Sequence, residues 1–428
     1  MTCIVAKFGG TSVANPKRIK EVANRLVTYH KQGNQVVAVV SAMGKSTDDL
    51  LKLARSVNAQ PPARELDVLL STGEQVSMSL LAMAIEALGV DAVSMTGLQA
   101  GIVTTTVFNR AKIAEINAER IKQELNDQKI VIVAGFQGVT TGGDITTLGR
   151  GGSDTTAVAI AAGIKADVCE IYTDVDGVYT ADPRLVPRAQ KLDEISFDEM
   201  LELAAAGSGV LQMRSIEVAR NYEVTVHCRS AFSANPGTLV REAKNMERVE
   251  QAIVSGIAYD NSEAKVTIRD VPDQVGIAAS VFGAIADKGI NIDMIVQNIS
   301  EHGKTDISFT CPISELLRLC PVLDEQIKVL GVREYVVDES IAKISLVGAG
   351  MKSNPGIAAK MFRVLADNEI NIGMISTSAI RVSVVIEDAK TQLAMKKLHT
   401  AFGLDSDQVF EEKQLSDEEL SAKAQKGR

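Results

Sequence analysis

Residues 276–295, GIAASVFGAIADKGINIDMI, align without gaps to residues 356–375, GIAAKMFRVLADNEINIGMI, and twelve of the twenty positions are identical at an offset of 80. Chance does not produce such a match, so this part of the chain must fold twice into one kind of unit. Each copy is a helical stretch followed by an Asn-bearing turn into a strand. KVTIRDV or KISLVGAG precedes it, and TDISFTC or RVSVVIE follows it. The result is a small βαββ unit of α+β type, used twice. Units this small leave sheet edges to cover, which predicts side-by-side pairing and a homo-oligomer.

The first half of the chain reads differently. CIVAKFG, QVVAVVSAMG, KIVIVAGFQG and VCEIYTDVDGVYT are strand-like, and helical patterns such as PKRIKEVANRLVTYHKQG and GEQVSMSLLAMAIEALG alternate with them. Strands alternating with helices predict an α/β domain with a mainly parallel central sheet. Its ligands are then expected at the carboxyl ends of the strands, and KFGGTS, SAMGKSTD and TDVDG fall there. The expected division is 1–245 for this domain, 250–337 and 338–412 for the two repeat units, and 413–428 for a polar, disordered tail.

Composition narrows the function. Among 428 residues the net charge is −9, which argues against nucleic acid or an anionic membrane as a partner, since both need a basic face. Five cysteines, an odd number with no C-x-x-C pair, predict buried reduced thiols and a cytoplasmic chain. The start, MTCIVAKFGG, is too soon broken for a signal peptide, and no uninterrupted apolar run approaches membrane-spanning length.

Five stretches carry chemistry. Lys7 ends a buried strand and runs into Gly9 and Gly10, where amides and a lysine make an anion site; a lysine stem reaching solvent from a strand end has the same sequence. Ser41, Gly44, Lys45 and Thr47 cluster after the second strand, as a ligand loop or as N-caps. Glu74 closes STGE, either as a capping box for the helix after it or as a receptor for an ammonium group. TLGRGGSDTTA, residues 147–157, sets Arg150 among glycines ahead of Ser153 and Asp154 at a helix start. A planar guanidinium there suits a carboxylate or a phosphate. YTDVDGVYTADPR then leaves a strand into a loop that is either a plain turn or a holder for a nucleotide and its Mg²⁺.

Together, KFGGTS, SAMGKSTDDLL, STGE, GRGGSDTTA and YTDVDGVYTADPR, in this order over nearly the whole chain, resemble the aspartate kinases of the amino-acid kinase family. The paired repeats resemble that family's two ACT regulatory domains. The resemblance implies transfer of the γ-phosphoryl group of ATP, as its Mg²⁺ complex, to the β-carboxylate of L-aspartate. That is the first step toward lysine, threonine and methionine. It implies that Lys7 neutralises the transferring group with the amides of Gly9 and Gly10, and that Asp154 orients the site. Ser41, Thr47 and Ser153 would line the aspartate pocket, Glu74 would take the ammonium and Arg150 the α-carboxylate. Thr173, Asp174, Tyr179, Asp182 and Arg184 would surround ATP, and no residue is assigned as a direct metal ligand. Lysine and threonine are the implied effectors, in a cleft of Asp273, Gly276, Ile277, Ala278 and Gln297 with Asn291 and Asn371.

A carboxylate nucleophile is already ionised at neutral pH, which suits a chain whose four histidines lie outside these motifs. Two positions depart from the family pattern: Gly209 where a lysine is common, and Ala379 where a glutamate is usual. Met246 resembles the internal start by which some relatives make a separate regulatory subunit. Two rival readings stand beside this one: a glutamate-type carboxylate kinase, and a non-catalytic amino-acid sensor.

Overall fold

The apolar spacing of PKRIKEVANRLVTYHK produces the first helix, Pro16–Lys31, which buries Ile19, Val22, Ala23, Leu26 and Val27. Asn15 caps it, its side-chain oxygen accepting from the Arg18 amide at 3.0 Å, and Pro16 occupies the first turn, where no amide is needed. In this computed structural model the described residues are 1–242, 253–297, 303–349, 351, 354 and 356–407. Met246 and the 413–428 tail lie outside them.

The chain divides into two units. One comprises residues 1–178 and 191–249, the other 179–190 and 250–428. The first unit is built on an eight-stranded sheet. At its centre Cys3–Phe8 pairs in parallel with Gln35–Val40 on one side and Val168–Thr173 on the other. Ile130–Ala134 and Ala92–Met95 continue the parallel set beyond Gln35–Val40. Val226–Ser230 extends it beyond Val168–Thr173, and Thr238–Arg241 then pairs antiparallel. These strands are Val/Ile-rich runs buried on both faces, as covered parallel sheets require. The α/β expectation holds. A second sheet was not expected: Ile113–Ile116, Ile102–Thr104, Gln137–Thr140 and Ile145–Thr147 form a four-stranded ribbon. Its strands are only three or four residues long, too short to show a period.

The helix Ala63–Glu86 corrects the sequence reading. It begins ten residues before the GEQVSMSLL stripe, with Pro62 ahead of it. Ser71 is therefore mid-helix and donates to the Val68 carbonyl at 2.8 Å, so STGE is not a capping box. By length and apolarity the helix would pass for a membrane span. Its buried face nevertheless carries Asp67 and Glu74 against protein partners, which marks a core helix.

The second unit holds the two repeats. The first forms a sheet from Ile295–Gln297, Lys304–Pro312, Glu263–Pro272 and Tyr335–Asp338. The second forms one from Ile253–Asp260, Ile341–Ala349, Arg381–Glu387 and Met374–Thr377. Each gains a further helix, Leu316–Leu330 or Thr391–Ala401, beyond the βαββ reading. Ile253–Asp260, which comes before Glu263–Pro272 in sequence, thus lies in the sheet of the second repeat. The segment 179–190 belongs to this unit too. Ala181, Val186 and Ala189 are buried in the second repeat's core with Ile344, Met361 and Leu398. Thr180 is hydrogen-bonded to Nε2 of the fully buried His399 at 2.9 Å, and Asp405 meets the other ring nitrogen at 2.7 Å.

Candidate active site

The central strand Cys3–Phe8 lies where the winding of the sheet reverses, so the loops after it and after its two neighbours open into one crevice. Lys7 stands on this strand, and its ammonium is 2.5 Å from the Asp154 carboxylate. The side chains of Lys7 and Asp154 are only 13% and 9% exposed, so the pair is shielded from water without being sealed off. Asp154 lies in the first turn of the helix Gly152–Ile164, whose buried face runs almost all the way round. The open amides of that first turn favour an anion at the same place.

Glycine is needed at position 10 because the backbone passes so close. A Cβ there would sit 2.9 Å from the Ala42 carbonyl oxygen and 3.2 Å from that of Gly44. The Gly44 amide in turn donates to the Gly10 carbonyl at 3.0 Å. The loops after the first two strands are thereby held together.

Ser41 donates from its hydroxyl to Ser153 at 3.0 Å, which joins SAMGKST to GRGGSDT across 112 residues of sequence. The Ala42 amide donates to Glu74 at 3.0 Å, and Ser77 donates to the Ser41 carbonyl at 2.7 Å. Glu74 is 3% exposed, and its second carboxylate oxygen has no hydrogen-bond partner among the described residues. Burial pushes its pKa up to about 7 against the opposing pull of the Ala42 amide. Thr47 is half-buried in the first turn of Ser46–Val57.

Arg150 is exposed and has no partner among the described residues. Gly149 and Gly151 flank it at φ values of 76° and 71°, a left-handed conformation that costs glycine little. Two residues that the sequence reading missed hold this loop. Asp67 is fully buried and accepts from the amides of Asn109 and Thr147, each at 2.9 Å, and from the Thr147 hydroxyl at 2.6 Å. Arg214 donates to the carbonyls of Leu148 at 2.6 Å and Ala111 at 3.0 Å. Asp67 precedes Glu74 by two helical turns on the same face, a signal visible only once the helix start is placed correctly.

Thr173 ends the strand Val168–Thr173, and the exposed Asp174 follows it. The Thr173 hydroxyl accepts from the Val175 amide at 3.0 Å. Tyr179, Asp182 and Arg184 fall in the second unit. Asp182 accepts from the Arg184 guanidinium at 2.7 and 2.9 Å, and these bonds outweigh burial to keep its carboxyl below the ordinary range. Space is open at Gly209, where an added Cβ meets nothing within 4 Å.

In the first repeat Gly276 is left-handed at φ 96° and precedes the helix Ile277–Asp287, with Ala278 in its first turn. Asp273, Gln297 and Asn291 are exposed around that helix end and the next strand. Asn371 lines a cavity whose lining includes none of the others.

Comparison with known proteins bears on the family and the fold. The amino acid kinase family model matches residues 2–230, and ACT domain models match 266–330 and 344–402. The chain is 53% identical over 410 residues to an aspartokinase of Mycolicibacterium smegmatis, covering 95% of this chain and 97% of that protein. It is 52% identical over 408 residues to that of Corynebacterium glutamicum, covering 94% and 97%. Among solved structures, E. coli aspartokinase III in complex with aspartate and ADP superposes with a TM-score of 0.79 at 25% identity, over 93% of this chain and 99% of that one. These matches place the chain in the amino acid kinase family, among the ATP-dependent aspartokinases with two C-terminal ACT domains.

Proposed function

We propose that the chain transfers the γ-phosphoryl group of MgATP to the β-carboxylate of L-aspartate, giving 4-phospho-L-aspartate, the entry to lysine, threonine and methionine synthesis. The Lys7–Asp154 pair carries the reading. A lysine held by a neighbouring carboxylate at a helix N-terminus is pre-aimed at the oxygens where negative charge gathers. Phosphoryl transfer needs this positioning and neutralisation more than it needs a proton shuttle. The aspartate β-carboxylate attacks without a general base, because it is already ionised.

Ser41, Thr47 and Ser153 line the acceptor side, with the free oxygen of Glu74 as the place for the substrate ammonium. Thr173 and Asp174 stand at the nucleotide side with the amides of Gly9 and Gly10. Among the described residues no group of three or more His, Cys, Asp or Glu is arranged to hold a metal ion. Mg²⁺ enters as part of the MgATP substrate, with phosphate oxygens and water as its main ligands. A hydroxamate assay with MgATP and either L-aspartate or L-glutamate separates the rivals. Activity with glutamate alone points to the other carboxylate kinase, and activity with neither points to a sensor.

The exposed guanidinium of Arg150 is the receptor for the α-carboxylate. Arg150→Ala is expected to raise the KM for aspartate by about tenfold to a hundredfold with a smaller change in kcat. That range corresponds to the ~1.5–3 kcal/mol of a charge-assisted hydrogen bond. Arg150→Lys restores little, because the two-pronged geometry is lost. A rise confined to the KM for ATP would move Arg150 to the phosphate side.

The ACT repeats support a reading of feedback by lysine and threonine. An effector carboxylate sits on the open amides at Gly276, Ile277 and Ala278, with Asp273, Gln297 and Asn291 around it and Asn371 contributed through pairing of units. Such a ligand inhibits only by preferring the less active arrangement. Inhibition by threonine or lysine, strongest with both, is the expected result. Gln297→Ala should weaken it and leave uninhibited turnover unchanged. Absence of inhibition and of any melting shift at millimolar effector would remove the regulatory reading.

A further inference from the structure

The loop that carries Arg150 has little of its own to hold it. Gly149 and Gly151 are both left-handed, at φ 76° and 71°, and a residue between glycines keeps much freedom unless the chain around it is fixed. The fixing lies just ahead, in Thr147 and Leu148, whose four backbone groups are all satisfied. The Thr147 amide donates to Asp67 at 2.9 Å, and its carbonyl accepts from the Ala111 amide at 3.0 Å. The Leu148 amide donates to the Phe136 carbonyl at 2.9 Å, and its carbonyl accepts from Arg214 at 2.6 Å.

Asp67 and Arg214 close this stem between them. One Asp67 oxygen accepts from the amides of both Asn109 and Thr147, and the other accepts from the Thr147 hydroxyl. Arg214, in the first turn of the helix Met213–Asn221, gives one guanidinium nitrogen to Leu148 and another to Ala111. A carboxylate thus gathers amides of the segments 109–111 and 147–148, and a guanidinium gathers their carbonyls. The grip reaches Arg150 from both flanks. A Cβ on Gly149 would stand 3.0 Å from the Asn109 carbonyl oxygen, and one on Gly151 would collide with the side chain of Gln212, two residues before Arg214. Asp67 also shares its helix face with Glu74, about 10 Å further along the axis. The helix Ala63–Glu86 therefore fixes Glu74 directly and the Arg150 loop through Asp67.

We propose that Asp67 and Arg214 are positioning residues of the transfer reaction, acting through Arg150 by fixing where its guanidinium stands relative to Glu74. The proposal rests on the role given to Arg150 as a substrate receptor. Asp67 itself is fully buried, and its bonds all go to the protein. An α-amino acid carries its ammonium and its α-carboxylate on one carbon, so the two receptors must keep one separation. A displacement of about 1 Å costs up to a hundredfold in rate. A hydrogen-bonded stem that reaches back to the Glu74 helix supplies the constancy that two flanking glycines do not.

The test is steady-state kinetics of the full-length protein, with melting curves alongside, for Asp67→Ala, Arg214→Lys and Thr147→Val, each alone and combined with Arg150→Ala. Arg214→Lys keeps the charge and loses the grip on two carbonyls, and Thr147→Val removes one bond to Asp67. These two decide the matter where Asp67→Ala does not fold. Asp67→Ala and Arg214→Lys are expected to raise the KM for aspartate by about tenfold, with a smaller change in kcat, as Arg150→Ala does. Thr147→Val should act in the same direction and less. In the Arg150→Ala background the same substitutions should raise that KM by less than about twofold, since no guanidinium is left to misplace. Asp67→Asn should recover most of what Asp67→Ala loses, because its amide oxygen can accept from both backbone amides and its NH₂ can donate to the Thr147 hydroxyl. Where Arg150→Ala raises the KM for ATP instead, the acceptor reading fails, and the Asp67 and Arg214 variants should follow Arg150 to ATP. Losses that add fully in the Arg150→Ala background, a KM pattern unlike that of Arg150→Ala, or an unchanged KM in folded Arg214→Lys and Thr147→Val would each overturn the proposal.

Discussion

Lys7→Ala is expected to lower kcat by roughly a hundredfold while aspartate and MgATP still bind. A pre-organised donor aimed at developing charge is worth ~3 kcal/mol in the transition state and much less in the ground state. The structure adds a second consequence. Lys7 and Asp154 share one ion pair with little access to water. Removing the lysine leaves the aspartate charged beside the incoming phosphates, so part of the loss is repulsion. Lys7→Ala combined with Asp154→Asn should therefore recover some of the rate lost in Lys7→Ala alone. Single-turnover kinetics with saturating substrates measure the chemical step directly. Turnover at the wild-type level in Lys7→Ala would remove the lysine from the mechanism, and a double variant no faster than the single would remove the repulsion.

What could be read from the sequence depended on how local its cause was. The helix Pro16–Lys31 was legible because cap, proline and apolar spacing agree within one window. The parallel sheet was legible because strands buried on both faces are continuous apolar runs. The repeat units were legible because duplication is visible whatever the fold.

The start of Ala63–Glu86 was not legible. Its first turns, ARELDVLLS, carry no capping residue, and the buried Asp67 breaks the apolar stripe. Asp67 is inside because Asn109 and Thr147 satisfy it from 42 and 80 residues away. No local pattern reports partners at that distance. The same limit hid the place of Ile253–Asp260, a strand whose partner is Ile341–Ala349. It also hid the burial of Thr180 against His399, 219 residues on. In the site, the glycines and charged residues announced a ligand loop, but the Ser41–Ser153 bond that joins two such loops is a fact of three dimensions.

The second large effect belongs to Glu74, and it appears in stability and catalysis with opposite sign. Its folded pKa is raised from 4.5 to about 7. A carboxyl with a raised folded pKa contributes stability that is fully present below the unfolded value and is lost as pH rises through the folded one. The window is therefore roughly pH 4.5 to 7. Above it, holding the ion in this site costs ~3 kcal/mol, from about 1.4 kcal/mol per pKa unit. Glu74→Gln escapes that cost. The variant is expected to melt several degrees above wild type at pH 8 with no ligand, and the gap should close toward pH 5. Catalysis moves the other way. The glutamine oxygen can still accept from the Ala42 amide, which turns its NH₂ toward the place of the substrate ammonium. Neutral N–H donors then face the ammonium where a carboxylate did, and the KM for aspartate should rise by roughly a hundredfold at pH 8. In wild type the same logic predicts that kcat/KM for aspartate falls as pH drops below about 7, because the protonated acid no longer attracts the ammonium. That pH limb should be absent from Glu74→Gln. The paired measurement is a melting curve and an aspartate titration for both proteins from pH 5 to about 8. A variant that binds aspartate as wild type does would take the ammonium away from Glu74. One that melts lower at pH 8 would show that the carboxylate is stabilised there by partners, and the raised pKa would be wrong.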